Sequence, residues 1–182
     1  MEDISLHILD IVENSIAAGA DKIEIKILED IKKDIFLIEI KDNGKGISQE
    51  VLKKVMDPFY TTRTTRRVGL GLSFLYQSAK EAEGDISITS DEGTGTVVSA
   101  HFKHSHIDRK PLGNIVDTLI VLIAGNPDIN FLYEHRRDDK TYSVNTEDIK
   151  SELEGIPINS AGVIKLIKED IQSGLRNIGA FF

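Results

Sequence analysis

IFLIEIKDNGKGI, residues 35–47, is the stretch on which the reading of this chain turns. Ile35 to Ile40 is rich in β-branched residues and reads as a strand. Asp42-x-Gly44-x-Gly46 follows directly, at a strand end, where loops carry function. A carboxylate in that place can accept a hydrogen bond from an exocyclic amine, and Gly44 and Gly46 let a planar base approach the backbone closely. Asp-Asn-Gly is also a hairpin-turn sequence, so on its own the motif leaves turn and pocket open.

Upstream, Ile4, Ile8, Ile11 and Ile16, with Leu9 and Val12 beside them, recur at helical spacing, and Gly19 stands where a left-handed cap ends such a helix. Glu13 and Asn14 lie on this helix. Adjacent helical residues point about 100° apart, so the pair cannot share one apolar face with Ile8 and Ile11. An amide oxygen suits Mg²⁺, and a carboxylate beside it can orient or deprotonate a water. A solvent-facing Glu-Asn pair is the plainer alternative. Lys22 to Leu28 then alternates charged and apolar residues, as a half-buried strand does.

Downstream, Ser48 to Met56 reads as a short helix with Ser48 as its N-cap and Val51, Leu52 and Val55 facing inward. Gly69-Leu70-Gly71-Leu72 opens a further helix, Leu70 to Ala82, where free N–H groups and the helix dipole favour anions. The polar, basic run Thr61 to Arg67 precedes it and could close over a triphosphate. No Gly-Lys-Ser/Thr follows, so this is not a Walker A loop. Strands Ile86 to Thr89 and Thr96 to Phe102 flank a Gly93-Thr94-Gly95 turn. The element order predicts an α+β sandwich with an antiparallel pair at each end.

Composition narrows the function classes. The 182 residues suit one domain or one domain with a small appendage, and 40% hydrophobic with 29% charged residues is globular. A net charge of -8 argues against nucleic acid, whose backbone is bound by clustered Lys and Arg. Without cysteine there is no disulfide framework and no thiolate. An acidic N-terminus running straight into a helix lacks the pattern of a secretory signal, and the longest apolar run, Leu119 to Ala124, is far below the roughly 20 residues of a membrane span. A cytoplasmic location with no membrane contact is the expectation.

Past His104 the character changes. Leu112 to Ala124 reads as an apolar helix ended by Gly125-Asn126-Pro127, Ile129 to Tyr133 and Thr141 to Val144 as a hairpin across Arg136 to Asp139, and Glu147 to Ile178 as largely helical. Residues 1–103 are thus expected to form the nucleotide-binding domain and 104–182 a small α/β appendage of unassigned chemistry.

Five motifs together resemble the GHKL (Bergerat-fold) ATPases. LHILDIVENSIAAGA, Leu6 to Ala20, is similar to their N box in the form MutL proteins give it, and DNGKGI, Asp42 to Ile47, to the G1 box. DPFYTTR, Asp57 to Arg63, resembles the F box of sensor histidine kinases, VGLGLS, Val68 to Ser73, the G2 box, and EGTGTVVSAHF, ending at Phe102, the closing strand of the kinase ATP domain. The resemblance implies a two-layer sandwich, a mixed sheet with helices on one face, of the stand-alone type without an upstream dimerisation or phosphoacceptor domain. It implies ATP and Mg²⁺ as ligands, with Asn14 holding the metal and Glu13 as general base. Asp42 would bind the adenine amine, with Gly44, Gly46 and Ile47 lining the base and Thr96 helping through water. Phe59, Thr62 and Arg63 belong to the F box, and Gly69, Leu70, Gly71 and Leu72 would meet the phosphates. Ala17 departs from the family, which carries an acidic or basic residue nearby, and the short interval between the F and G2 boxes implies a small lid.

His106-Ile107-Asp108-Arg109-Lys110-Pro111-Leu112 resembles a phosphoacceptor box, but Ile107 replaces the usual acidic residue. Pro111 suits a helix first turn with Asp108 or a neighbour as cap, which leaves His106 in a loop. His101, His104 and His106 read as a linker before a metal cluster. Two functions stay open: an enzyme that hydrolyses ATP or passes its γ-phosphate to a partner protein, and a nucleotide-gated interaction module with negligible turnover. A homo-oligomer is compatible with both, and a MutL-like repair role fits the acidic charge least.

Overall fold

The structure is a computed structural model describing residues 3–50, 52 and 70–180, of Leu70 only the backbone. In chain order it places α1 (Ile4–Ala17), β1 (Lys22–Asp30), β2 (Ile35–Asp42), α2 (Leu70–Glu81), β3 (Asp85–Asp91), β4 (Gly95–Lys103), α3 (Ile115–Gly125), β5 (Asn130–Arg137), β6 (Lys140–Asn145), α4 (Thr146–Glu152) and α5 (Ala161–Ile178). Among the described residues six strands form one mixed sheet, β3-β4-β2-β1-β5-β6, in which β1 and β5 pair in parallel and the other neighbours antiparallel. The α+β class expected from the sequence is therefore the fold.

The period-2 alternation sets the layers. Ile23, Ile25 and Ile27 of β1, Phe36, Ile38 and Ile40 of β2 and Val98, Ala100 and Phe102 of β4 turn one face inward, against Ile4, Ile8, Ile11 and Val12 of α1 and Leu75 and Ala79 of α2. The outer face is polar: Lys26 reaches both Glu24 and its register partner Glu39, at 3.6 and 3.9 Å, half-exposed pairs worth little each.

The segment set apart above as an appendage shares this sheet and core. Phe131 and Tyr133 lie in register with Ile23 and Ile25, and α3 and α5 add Leu119, Leu122, Ile171 and Leu175 to the same apolar cluster. A parallel pair needs a long crossover, so no local turn in the sequence announces it.

Two boundaries differ from expectation. Pro111 and Leu112 are not helical, and their carbonyls accept the N–H groups of Ile4 and Ser5 at 2.9 and 2.8 Å. Helix α3 begins only at Ile115, capped by Asn114, whose Oδ1 accepts from Asp117 N at 3.1 Å, because Gly113 turns the chain at φ 76°. The cap is thus neither Asp108 nor a residue beside it, although His106 does lie in a loop. The β5–β6 turn shortens to Asp138-Asp139, with Asp138 at φ 51° and accepting from Ile31 N at 2.9 Å. Of the short helix expected from Ser48, Gln49, Glu50 and Leu52 are helical and Leu52 N donates to Ser48 O at 2.8 Å; Val51 and Val55 lie outside the described residues.

Helix α5 is fixed to β6 through Tyr142. Its hydroxyl donates to Asp170 at 2.7 Å, and its ring lies where a Cβ on Gly174 would stand. Overpacking costs about 1–3 kcal/mol, against roughly 1 kcal/mol of helix propensity gained by removing a glycine. Gly174→Leu is expected to lower the thermal midpoint, measured by circular dichroism, while Gly162→Leu, with open space around its Cβ, leaves it unchanged or raised.

Candidate functional site

Across one end of the buried face the row is polar: Ser90, Thr96 and Asp42 stand in register where the next row holds Ile88, Val98 and Ile40. Asp42, 7% exposed, is ringed by donors. Its Oδ2 accepts from Ser15 Oγ at 2.6 Å, and its Oδ1 accepts from Gly44 N at 2.9 Å and Thr96 N at 3.3 Å. A carboxylate offers about four acceptor sites, so roughly one is left for a further donor, such as an exocyclic amine.

The loop after β2 is held by its neighbours. Ile47 N donates to Ser90 Oγ at 2.8 Å, and that hydroxyl lies 2.9 Å from both Gly95 O and Thr96 Oγ1. Gly46 sits at φ 70°, with its Cβ position occupied by the Asp91 carbonyl, so no other residue fits there. Gly44 packs its Cα against Ala18, whose carbonyl accepts from Lys45 N at 3.0 Å. Asn43 ties the loop to β1 by accepting from Asp21 N and Lys22 N at 3.1 and 3.0 Å. Asp42, Gly44, Gly46, Ile47 and Thr96 are therefore brought together at one strand end.

On α1, Glu13 is exposed and Asn14 half-buried. One turn before Asn14, on the same side of the helix, stands Asp10. Its Oδ2 is buried without a hydrogen-bond partner among the described residues, and burial pushes its carboxyl above the ordinary value. The Asp10 carboxyl fills the place of a Cβ on Gly71, so glycine at the start of α2 leaves the room that this carboxyl occupies. His7, a further turn back, is fully buried with both ring nitrogens unpartnered among the described residues. Leu72 packs half-buried against the core. Phe59, Thr62, Arg63 and Gly69 lie outside the described residues, as does the Leu70 side chain.

Sequence reasoning missed Ser15, Ser90, Asp10 and His7. Ser15 follows Ile8, Ile11 and Val12 in the apolar phase of α1, and Ser90 follows Ile86 and Ile88 in that of β3; a polar residue in an apolar phase was the available signal. Among the described residues no three His, Asp or Glu side chains are grouped to hold a metal. His104 instead meets Glu29 at 3.1 Å, and His106 Glu83 at 3.4 Å. No helix among them is long and apolar enough to cross a membrane.

Known proteins resemble this chain in sequence and in fold. The profile described as "Histidine kinase-, DNA gyrase B-, and HSP90-like ATPase" matches residues 2–106. Sporulation kinase E of Bacillus subtilis is 38% identical over 90 residues, 49% of this chain and 12% of that protein. The tetrathionate sensor histidine kinase TtrS of Salmonella typhimurium is 36% identical over 100 residues, 53% of this chain and 16% of that protein. The chain thus spans less than a fifth of the length of either curated relative. Among solved structures, the N-terminal domain of a DNA repair protein superposes with a TM-score of 0.57 at 18% identity, covering 97% of this chain and 59% of that one. The Aquifex aeolicus MutL ATPase domain complexed with ADP gives 0.51 at 19%, covering 80% and 63%. At these identities the likeness is one of fold, and in the DNA repair domain it extends through the last third. With its family profile matched over more than half its length and its polar row set at the end of the expected sheet, the chain belongs to the GHKL family of histidine kinase-, DNA gyrase B- and HSP90-like ATPases, whose domains bind ATP.

Proposed function

We propose that the chain binds Mg-ATP between α1, α2 and the Asp42 end of the sheet, and cleaves or transfers the γ-phosphate. The observation that carries this reading is the buried Asp42 carboxylate, with three donors in place and one acceptor site left for the adenine amine. Gly44, Gly46 and Ile47 then flank the base, Thr96 assists, and the phosphates extend toward Asn14, Asp10 and Gly71. Phe59, Thr62, Arg63, Gly69, Leu70 and Leu72 are proposed as further nucleotide-binding residues. The Asn14 amide oxygen fits Mg²⁺, which takes few protein ligands and keeps its waters, and the ion when bound offsets charge on the phosphates.

We assign the general base to Asp10 in preference to Glu13, which is exposed. Burial raises its affinity for a proton, as a general base requires, and its unpartnered oxygen stands beside the start of α2. In hydrolysis the water oxygen bonds to the γ-phosphorus, the bond to the β,γ-bridging oxygen breaks, ADP leaves, and the water proton passes to Asp10. Transfer to a partner protein uses the same site with a side chain of that partner as nucleophile.

The test is turnover of γ-labelled ATP with Mg²⁺, alone and with cell extract. Asp10→Asn is expected to lower release or transfer by about 10²–10⁴-fold, the usual worth of general-base catalysis, with ATP still bound. Glu13→Gln is expected to stay within a few-fold of wild type. Loss of turnover in Glu13→Gln alone would reverse the assignment, and wild-type binding without any release or transfer would leave the nucleotide-gated module. That second reading draws support from the backbone bonds between Pro111-Leu112 and the start of α1, which connect the nucleotide helix to the last third.

A further inference from the structure

The buried face carries a second carboxylate at its opposite end. Glu29 continues the phase of Ile23, Ile25 and Ile27, is 3% exposed, and engages both oxygens: Oε1 with His135 Nε2 at 2.8 Å and Oε2 with His104 Nε2 at 3.1 Å. Behind His135, Tyr133 Oη lies 2.8 Å from Nδ1. Burial alone would raise the Glu29 carboxyl, but the hydrogen bonds of His135 and His104, together with nearby positive charge that includes Arg137, outweigh it and hold the group below its ordinary value. Glu29 is thus a satisfied anion.

In front of it, among the described residues, opens a cavity of about 630 Å³. This lies within the size range of small-molecule sites. Phe36, Leu112, Val116 and Leu175 supply apolar wall, and Arg109 and Lys168 stand on its lining. Asp117 on the lining receives Lys168 Nζ at 2.8 Å and Asn114 Nδ2 at 2.6 Å, Asn114 Oδ1 caps α3, and Gln172 adds an amide. Arg109 is the cation with donors to spare. Arg109 lies with its guanidinium 5.0 Å from the Phe36 ring centre, gives Nε–H to His104 O at 2.7 Å and one Nη1–H to Lys110 O at 3.3 Å. A guanidinium has about five N–H groups, so roughly three remain unspent here among the described residues.

We propose that this cavity is a second ligand site, for a small organic carboxylate with an apolar body. The Arg109 fork would take the carboxylate in charge-assisted hydrogen bonds, while the body replaces water against Leu112, Val116 and Leu175. The site is separate from the nucleotide: Asp42 lies six residues along β2 from Phe36, roughly 20 Å at the rise of a strand. It is nonetheless joined to it, since the Pro111-Leu112 wall holds the first N–H groups of α1, the helix of Asp10 and Asn14.

The experiment titrates the full isotope-labelled chain with benzoate and with hexanoate, using hexanol and hexylamine as controls, and follows backbone amide shifts. Saturable shifts confined to residues 104–117 and 168–180, given by the carboxylates and not the controls, and unchanged by saturating ADP, support the proposal. Arg109→Gln is expected to weaken the carboxylates about tenfold or more, with Arg109→Lys between it and wild type. Three results overturn it: no saturable shift at those residues, an equal response to hexanol, or shifts at residues 42–47 that ADP displaces. A folded Arg109→Gln protein with undiminished affinity would overturn it as well. The wild-type comparison needs no variant, and none of these outcomes depends on whether ATP is turned over.

Discussion

Asp42→Ala is expected to weaken ATP and ADP binding by about 100-fold or more, read by calorimetry or by displacement of a fluorescent nucleotide, and to lower thermal stability at the same time. Two effects combine. A hydrogen bond to a charged group is worth about 1.5–3 kcal/mol, and its loss in the complex alone approaches 100-fold. In the free protein, Ser15 Oγ, Gly44 N and Thr96 N all lose their acceptor, and a buried donor without one costs about 1–3 kcal/mol. Asp42→Asn separates the two, because its amide oxygen still accepts from Gly44 N and Thr96 N and Ser15 Oγ can turn to accept from its NH₂, while the charge and one acceptor oxygen are lost to the incoming amine. Its stability should recover more than its affinity. Ser90→Ala, which removes the acceptor of Ile47 N without touching the carboxylate, is expected to fall between wild type and Asp42→Ala. An Asp42→Ala protein that is folded and binds adenine nucleotides within threefold of wild type would remove the base-binding role and with it the proposed orientation of ATP.

What the sequence disclosed follows from which interactions are local. Strand β2 and its Asp-x-Gly-x-Gly exit are legible because alternation and turn chemistry are properties of a few neighbouring residues. Asp42 was found for that reason. Its donors were not, since Ser15 lies 27 and Thr96 54 positions away and nothing in either neighbourhood names a partner. Asp10, proposed above as the base, escaped for another reason: Glu13 adjoins Asn14 in sequence, but helix geometry brings the residue one turn back onto the same side, and its contact with Gly71 of α2 is not local in sequence. The last third escaped because β5 joins β1 in parallel, a pairing with no hairpin to signal it. Pro111, read as the first turn of a helix, serves instead through its carbonyl, because Gly113 reverses the chain before α3 can start.

His7 makes the junction of α1 and α2 sensitive to acid. It is fully buried with neither nitrogen in a well-formed hydrogen bond among the described residues, and burial, with the charge of Lys110 second and Asp3 and the Gly71 backbone opposing, lowers its pKa to about 4 from 6.5. In the unfolded chain the imidazole regains its ordinary pKa, so between pH 6.5 and about 4 the unfolded state binds more protons than the folded one. Stability therefore falls as pH falls through that window, at a limiting slope of about 1.4 kcal/mol per pH unit from this group alone. Below about pH 4 both states are protonated and the contribution stops changing. The measurement is urea unfolding from pH 7 to 4 for wild type and His7→Gln, a neutral side chain that does not titrate. The difference between the two curves should be flat above pH 7 and close steadily in favour of the variant below pH 6. Asp10 works against the same trend: its raised pKa means a proton is taken up on folding, so acid favours the native state there, and Asp10→Asn should steepen the loss that His7→Gln relieves. Parallel curves for wild type and His7→Gln over this range would show that His7 is protonated, and hence partnered, in the native state.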